Sequence, residues 1–93
     1  MTIFTYQTGE YLVRISVKLF ATLRDRGPEG LAIGESFPLT IAANTTFNQL
    51  LEQLKITTEE AKIIMRNHTT IKSLNELLQE NDEIAIFPPI GGG

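Results

Sequence analysis

Ninety-three residues, 42% of them hydrophobic, 8% aromatic and 20% charged, describe one small globular domain with a thin core, too short to wall a deep pocket with its own catalytic shell. Eight Lys and Arg against 11 Asp and Glu leave a net charge of −3, which argues against the basic surface that a nucleic-acid binder needs. With no cysteine and a single histidine, His68, the chain has no disulfide, thiolate nucleophile, Cys-based zinc site or His/His metal pair.

Residues 1–12, MTIFTYQTGEYL, read as an N-terminal extension broken by Gly9, either a frayed end or an extra edge strand. They carry no basic patch, and no apolar run in the chain approaches the ~18 residues needed to span a bilayer, so no membrane association is expected and the default location is cytoplasmic. Val13, Ile15, Val17 and Leu19 then alternate with Arg14, Ser16, Lys18 and Phe20, the period of a strand with one buried face. Ala21–Arg26 suits a short helical turn, closed by Gly27, Pro28 and Gly30. A second alternation, Phe37, Leu39 and Ile41, is interrupted by Pro38, which lacks a backbone donor and so predicts an edge strand. If these two strands form an antiparallel pair, residues 21–35 are a decorated loop between them.

Thr46 and Gln49 have capping-box spacing, and behind them Phe47, Leu50, Leu51 and Leu54 fall at i, i+3, i+4 and i+7. The spacing predicts a short amphipathic helix over 47–55 that depends on packing for its stability. Thr57 and Glu60 repeat the capping pattern for one further turn. Lys62–Arg66 reads as a strand, Asn67-His68 as a turn and Thr69–Ile71 as a short return strand. Leu74, Leu77 and Leu78 suggest a helical turn or a packed loop. Asn81-Asp82 forms a turn before Glu83–Phe87, a last strand with Ile84 and Ile86 inward and Ala85 and Phe87 outward. The two most apolar strands stand at opposite ends of the chain and would pair in parallel as central neighbours. A mixed sheet packed on one helix is an α+β domain, and this order of elements points to a β-grasp over residues 13–90.

Side-chain chemistry is scarce. His68 reads as an exposed turn histidine, and Glu59/Glu60 and Glu80/Asp82/Glu83 as caps and a solvated turn, with no metal site expected. Gly27, Gly30 and Gly34 match neither dinucleotide nor P-loop spacing. The C-terminus stands out. Pro88-Pro89 ends the last strand and stiffens the exit, Ile90 follows, and Gly91-Gly92-Gly93 forms a tail thin enough to thread a narrow channel. Phe20 and Phe87 fall on the outward faces of the two strands expected to be adjacent, an exposed apolar patch suited to a partner, with Arg24 one helical turn on to flank it.

Val17-Lys18-Leu19-Phe20-Ala21-x-Leu23-Arg24 together with Asn81–Phe87-Pro88-Pro89-Ile90-Gly91-Gly92-Gly93 resembles the MoaD/ThiS family of ubiquitin-like sulfur carriers over about residues 13–93. The F-P-P before the glycines most resembles its molybdopterin-synthase branch. The resemblance implies a β-grasp fold and a chain that is not catalytic alone. Gly93 would be adenylated and converted to a thiocarboxylate, which then supplies sulfur to a molybdopterin precursor. It also implies the partners: an adenylating enzyme of the MoeB/ThiF type that consumes ATP, a sulfur donor protein and the large subunit of molybdopterin synthase, with no cofactor held permanently. Phe20, Arg24 and Phe87 match positions that face partners, with Pro88, Pro89 and Ile90 leading into the tail, and Asn67 matches an asparagine that opens a turn. Departures from the pattern are Asn81 in place of a turn glycine, Arg66 in place of an apolar residue, and Gly91 in place of a small residue such as Ala or Ser. Thiamine or tRNA thiolation, conjugation to lysines through Gly93, and a plain interaction module are the alternatives.

Overall fold

The computed structural model describes residues 11–90. The expectations for residues 1–10 and for Gly91, Gly92 and Gly93 lie outside the described residues. The elements follow in the order β1 (Leu12–Leu19), a 3-10 helix (Ala21–Arg26), β2 (Phe37–Ala42), α1 (Phe47–Leu54), β3 (Ile63–Arg66), β4 (Thr69–Thr70) and β5 (Glu83–Phe87). β1 starts one residue inside the segment read as extension. The five strands form one sheet in the order β2-β1-β5-β3-β4.

The first and last strands meet in the middle of that sheet. β1 and β5 pair in parallel, with Val17 opposite Ile84 and Leu19 opposite Ile86, while β2 pairs antiparallel with β1 and β3 antiparallel with β5. β2 lies at an edge, as Pro38 requires: its Cα partner is Ser16, and its missing N–H falls where the neighbouring strand makes no demand on it. This is the α+β, β-grasp architecture, with α1 packed across one face of the sheet.

Period-2 and period-3.6 patterns converge on one core. Ile15, Val17 and Leu19 from β1, Ile84 and Ile86 from β5, Ile64 from β3 and Phe37 and Ile41 from β2 meet Phe47, Leu50, Leu51 and Leu54 of α1, all buried. Leu23 of the 3-10 helix and Leu78 seal its ends. The capping box on α1 is complete: Thr46 Oγ1 accepts from Gln49 N–H at 3.2 Å, and Gln49 Oε1 accepts from Thr46 N–H at 2.9 Å. The same reciprocal pair recurs between Thr57 and Glu60, at 3.0 and 3.1 Å.

One sequence expectation is overturned. Asp82 is not part of a solvated turn; it is 5% exposed. Its carboxylate accepts from Gln79 N–H at 2.8 Å and Asn67 Nδ2 at 3.2 Å, and lies 3.1 Å from Arg66 Nε. Asn67 Oδ1 in turn accepts from Glu83 N–H at 2.8 Å. Arg66 points to the helix side of the sheet, with its guanidinium carbon 4.9 Å from the centre of the Phe47 ring, an ion pair to Glu76 at 3.3 Å and a hydrogen bond to the Leu77 carbonyl. A buried carboxylate demands such partners, because desolvating an unpaired charge is prohibitive.

Candidate functional site

The root of the C-terminal segment is built into the middle of the sheet. Phe20 N–H donates to Ile86 O at 3.2 Å and Lys62 N–H donates to Phe87 O at 2.9 Å, so both flanking chains hold the last residues of β5. Pro88 and Pro89 offer no N–H, and the ladder stops there. Ile90 then stands 86% exposed.

Phe20 and Phe87 meet as the alternation predicts, but they are not the two exposed rings expected. They stack on one another with centroids 4.2 Å apart and planes 13° from parallel, which leaves each half-buried. Beside the stack lies an open hollow of about 390 Å³ on the face opposite α1, bordered by Ser16, Lys18, Met65, Glu83 and Ala85. On the other flank of the exit Ile63, Pro88, Pro89 and Ile90 line a second hollow of about 650 Å³ with Glu59 and Lys62. Apolar surface therefore borders the chain exit on both sides, with one lysine in each hollow.

Met65 and Ile63 were missed as site residues. Their signal was present in the alternation of β3: with Ile64 inward, its neighbours must face out. Arg24 does not border the hollow beside the aromatic stack; its Nη2 donates to the Leu31 carbonyl at 2.9 Å, and it lines a separate hollow with Asp25, Gly27 and Pro28. Lys18 is the cation beside the stack. His68 is exposed, as read, and its Nε2 lies 3.6 Å from Glu83 Oε1 at the rim.

Charge elsewhere serves the scaffold. Arg26 donates to both carboxylate oxygens of Glu60, at 2.9 and 2.8 Å, and to the Lys55 carbonyl, tying the 3-10 helix to the end of α1. The Arg26 hydrogen bonds, followed by the Thr57 N–H, hold the Glu60 carboxyl down to about 2 from 4.5. Glu80 is also lowered, first by the backbone N–H of Arg14 and then by its guanidinium. Among the described residues no cluster of three or more His, Asp or Glu could hold a metal ion, and no helix is long and apolar enough to cross a membrane. The described surface thus offers apolar contact around a chain exit.

The ThiS family matches residues 17–93, from the middle of β1 through the last glycine. The chain belongs to the ThiS family. It is 28% identical over 80 residues to the molybdopterin synthase sulfur carrier subunit of Escherichia coli, covering 85% of this chain and 99% of that one. A solved complex of subunits 1 and 2 of molybdopterin-converting factor from Helicobacter pylori superposes with a TM-score of 0.50 at 27% identity, over 87% of this chain and 100% of the other. The small archaeal modifier protein 1 of Haloferax volcanii shares the fold, with a TM-score of 0.61 at 20% identity over 84% of this chain and 99% of that one.

Proposed function

We propose that this chain is a sulfur carrier and the small subunit of a molybdopterin synthase, with Gly93 as the carrying residue. The observation that carries the reading is the exit of β5: a central strand, stopped by two prolines and bordered by apolar surface, leading into the glycines where the family match ends. The chemistry follows from what a carboxylate lacks. It is a poor electrophile, so an adenylating partner first joins one Gly93 carboxylate oxygen to the α-phosphate of ATP, with pyrophosphate leaving. The outer sulfur of a donor protein's persulfide then attacks the carbonyl carbon, and AMP departs with the electron pair of the C–O bond. A thiol attacks the donor-side sulfur of the resulting acyl disulfide, which releases the thiocarboxylate and leaves a disulfide on the donor. The thiocarboxylate left on Gly93 is a nucleophile on a tether, and a catalytic partner that receives the tail gains from its fixed position. Phe20, Phe87, Pro88, Pro89 and Ile90 supply docking surface rather than acid–base catalysis, and Lys18 supplies charge beside it.

Intact-mass spectrometry of the protein isolated from its own cells tests the reading. A gain equal to exchanging one oxygen for sulfur, localised to Gly93, is expected. Its absence under every growth condition, with normal molybdopterin synthesis after removal of Gly92-Gly93, overturns it. Isopeptide linkage of Gly93 to lysines of other proteins would instead assign the chain to protein conjugation.

A further inference from the structure

Side chains on the face opposite α1 stand in rows set by the pairing register. Phe20 and Phe87 form the row at the chain exit. One step down, Lys18 stands beside Ala85 and Ala85 beside Met65. A further step down, Ser16 stands beside Glu83. Successive rows are roughly 7 Å apart, and two strand spacings separate Lys18 from Met65 by about 10 Å. Ala85 has the smallest side chain of the set, and the hollow of about 390 Å³ opens over it. The aromatic stack walls one end, Glu83 and Ser16 the other, with Lys18 and Met65 on the two sides.

Lys18 sets this hollow apart. Lys55, Lys62 and Lys72 are exposed, whereas Lys18 is half-buried. The arginines are all engaged: Arg14 by Glu80, Arg26 by Glu60, Arg66 by Asp82 and Glu76, and Arg24 by the Leu31 carbonyl. The Lys18 ammonium has no ion pair or hydrogen bond among the described residues. Glu83, the carboxylate in the same hollow, sits a row below and meets His68 at 3.6 Å instead. An unpaired ammonium on an apolar floor is tolerated while water reaches it. A partner that packs on Phe20, Phe87 and Ala85 removes that water, and leaving the charge unpaired beneath it is costly. The covering surface must therefore bring the counter-charge.

We infer that the hollow receives one Asp or Glu side chain of the large subunit, with its carboxylate paired to Lys18 and the apolar residues around it packed on Phe20, Phe87 and Met65. The inference rests on the small-subunit reading proposed above. The two charges of the hollow also set direction. Lys18 draws the incoming carboxylate to the row nearest the exit, and Glu83 repels it from the row below, so the partner's segment can lie only one way along β5. The apolar contacts supply most of the affinity, and the charge pair supplies register and choice of partner.

Binding of the large subunit from the same organism to the full-length carrier, measured by calorimetry at low and high salt, tests this. Lys18→Met keeps the aliphatic stem and removes the charge, so it should weaken binding about tenfold and flatten the salt dependence. Lys18→Arg keeps the charge and should hold affinity within about threefold. Lys18→Glu adds a carboxylate to the hollow that already holds Glu83 and should weaken binding about a hundredfold. Among large-subunit variants with one exposed Asp or Glu changed to Lys, one should lose affinity for the wild-type carrier and regain it with Lys18→Glu. Unchanged affinity and salt dependence in Lys18→Met, or failure of every charge reversal to rescue Lys18→Glu, overturns the inference. Acetate or succinate that shifts the Lys18 side-chain signals of the free carrier, with large-subunit affinity unchanged in Lys18→Met, assigns the hollow to a small carboxylate and overturns it as well. A wild-type carrier that does not bind the large subunit overturns the small-subunit reading and this inference with it, whereas wild-type binding that ignores Lys18 overturns the inference alone.

Discussion

Phe20 and Phe87 stack at 4.2 Å between ring centres, joining the residue after β1 to the last residue of β5. The contact closes the sheet where the chain departs for its C-terminus, so it braces the exit as well as shaping the surface around it. Replacing either ring by Ala should destabilise the fold by about 1–2 kcal/mol, less than a fully buried Phe because both rings are half-exposed. A double-mutant cycle in urea should give a coupling of about 1 kcal/mol, and a value near zero would show that the stack contributes nothing beyond area. Phe87→Asp should keep the fold and weaken binding of the large subunit; unchanged affinity would remove Phe87 from the interface.

Asp82 is the polar group the fold can least spare. It joins Gln79 to Arg66 and Asn67 at the end of β3, and Arg66 extends the network to Glu76 and the Phe47 ring. Asp82→Ala should cost about 3 kcal/mol by leaving the Gln79 N–H and Asn67 Nδ2 without their acceptor and removing the carboxylate charge beside the Arg66 guanidinium. Asp82→Asn, which keeps an acceptor but not the charge, should cost roughly half as much. Urea midpoints at constant m-value measure both, and an Asp82→Ala cost under about 0.5 kcal/mol would mean that water replaces the carboxylate freely.

These two sites mark the limit of what the sequence makes legible. Alternation along Val13–Leu19 and the stripe of Phe47, Leu50, Leu51 and Leu54 are local patterns, and they place β1, α1 and the core without help from the rest of the chain. The capping boxes are equally local. Arg66 is different: its inward position makes sense only once Phe47, Glu76 and Asp82 are brought together, and none of them is its neighbour in sequence. For the same reason Asp82 reads as a turn residue although it is buried. Arg24 was expected beside the aromatic pair, but the carbonyl it meets belongs to Leu31, in a loop with no periodicity to read. The exit as far as Ile90 was legible because prolines act through their own backbones, whatever surrounds them.

Asn81 has φ 70°, in the left-handed region where most side chains are strained, and its N–H donates to Arg14 O at 2.7 Å. Asn tolerates this region better than other non-glycine residues. Asn81→Ala should therefore lose about 1 kcal/mol, whereas Asn81→Gly should stay within about 0.5 kcal/mol of the parent. Thermal unfolding of the pair checks this, and equal losses would show that the Asn side chain, rather than the backbone, is what the turn requires.

The Arg26–Glu60 pair should set part of the acid limb of stability. Glu60 titrates at about 2 in the folded chain against 4.5 unperturbed, so below 4.5 the unfolded state takes up its proton first. Stability from this group is fully present above pH 4.5 and is lost as the pH falls toward 2. Glu60→Gln should flatten the stability profile across that window and change little in its slope above it. The Glu60 side chain is 38% exposed, so the effect is small and should shrink further in high salt. An unchanged acid limb would place its origin elsewhere, with Glu80 the next group lowered in the same direction.

Pro88 and Pro89 separate the last ladder hydrogen bond from the exposed Ile90. Substituting both by Ala restores two N–H groups and frees two φ angles, so β5 gains the option of extending and the chain beyond it loses its fixed direction. Neither proline lies in the core, so stability should change by no more than about 0.5 kcal/mol. On the proposed sulfur-carrier reading, sulfur transfer from a pre-formed Gly93 thiocarboxylate to the precursor, followed in single turnover with saturating large subunit, should slow by about tenfold, because a less directed exit spends less time in reacting geometry. Using pre-formed thiocarboxylate separates delivery from loading. An unchanged single-turnover rate would mean that the partner's channel alone aligns the tail, and that the prolines serve only to end the strand.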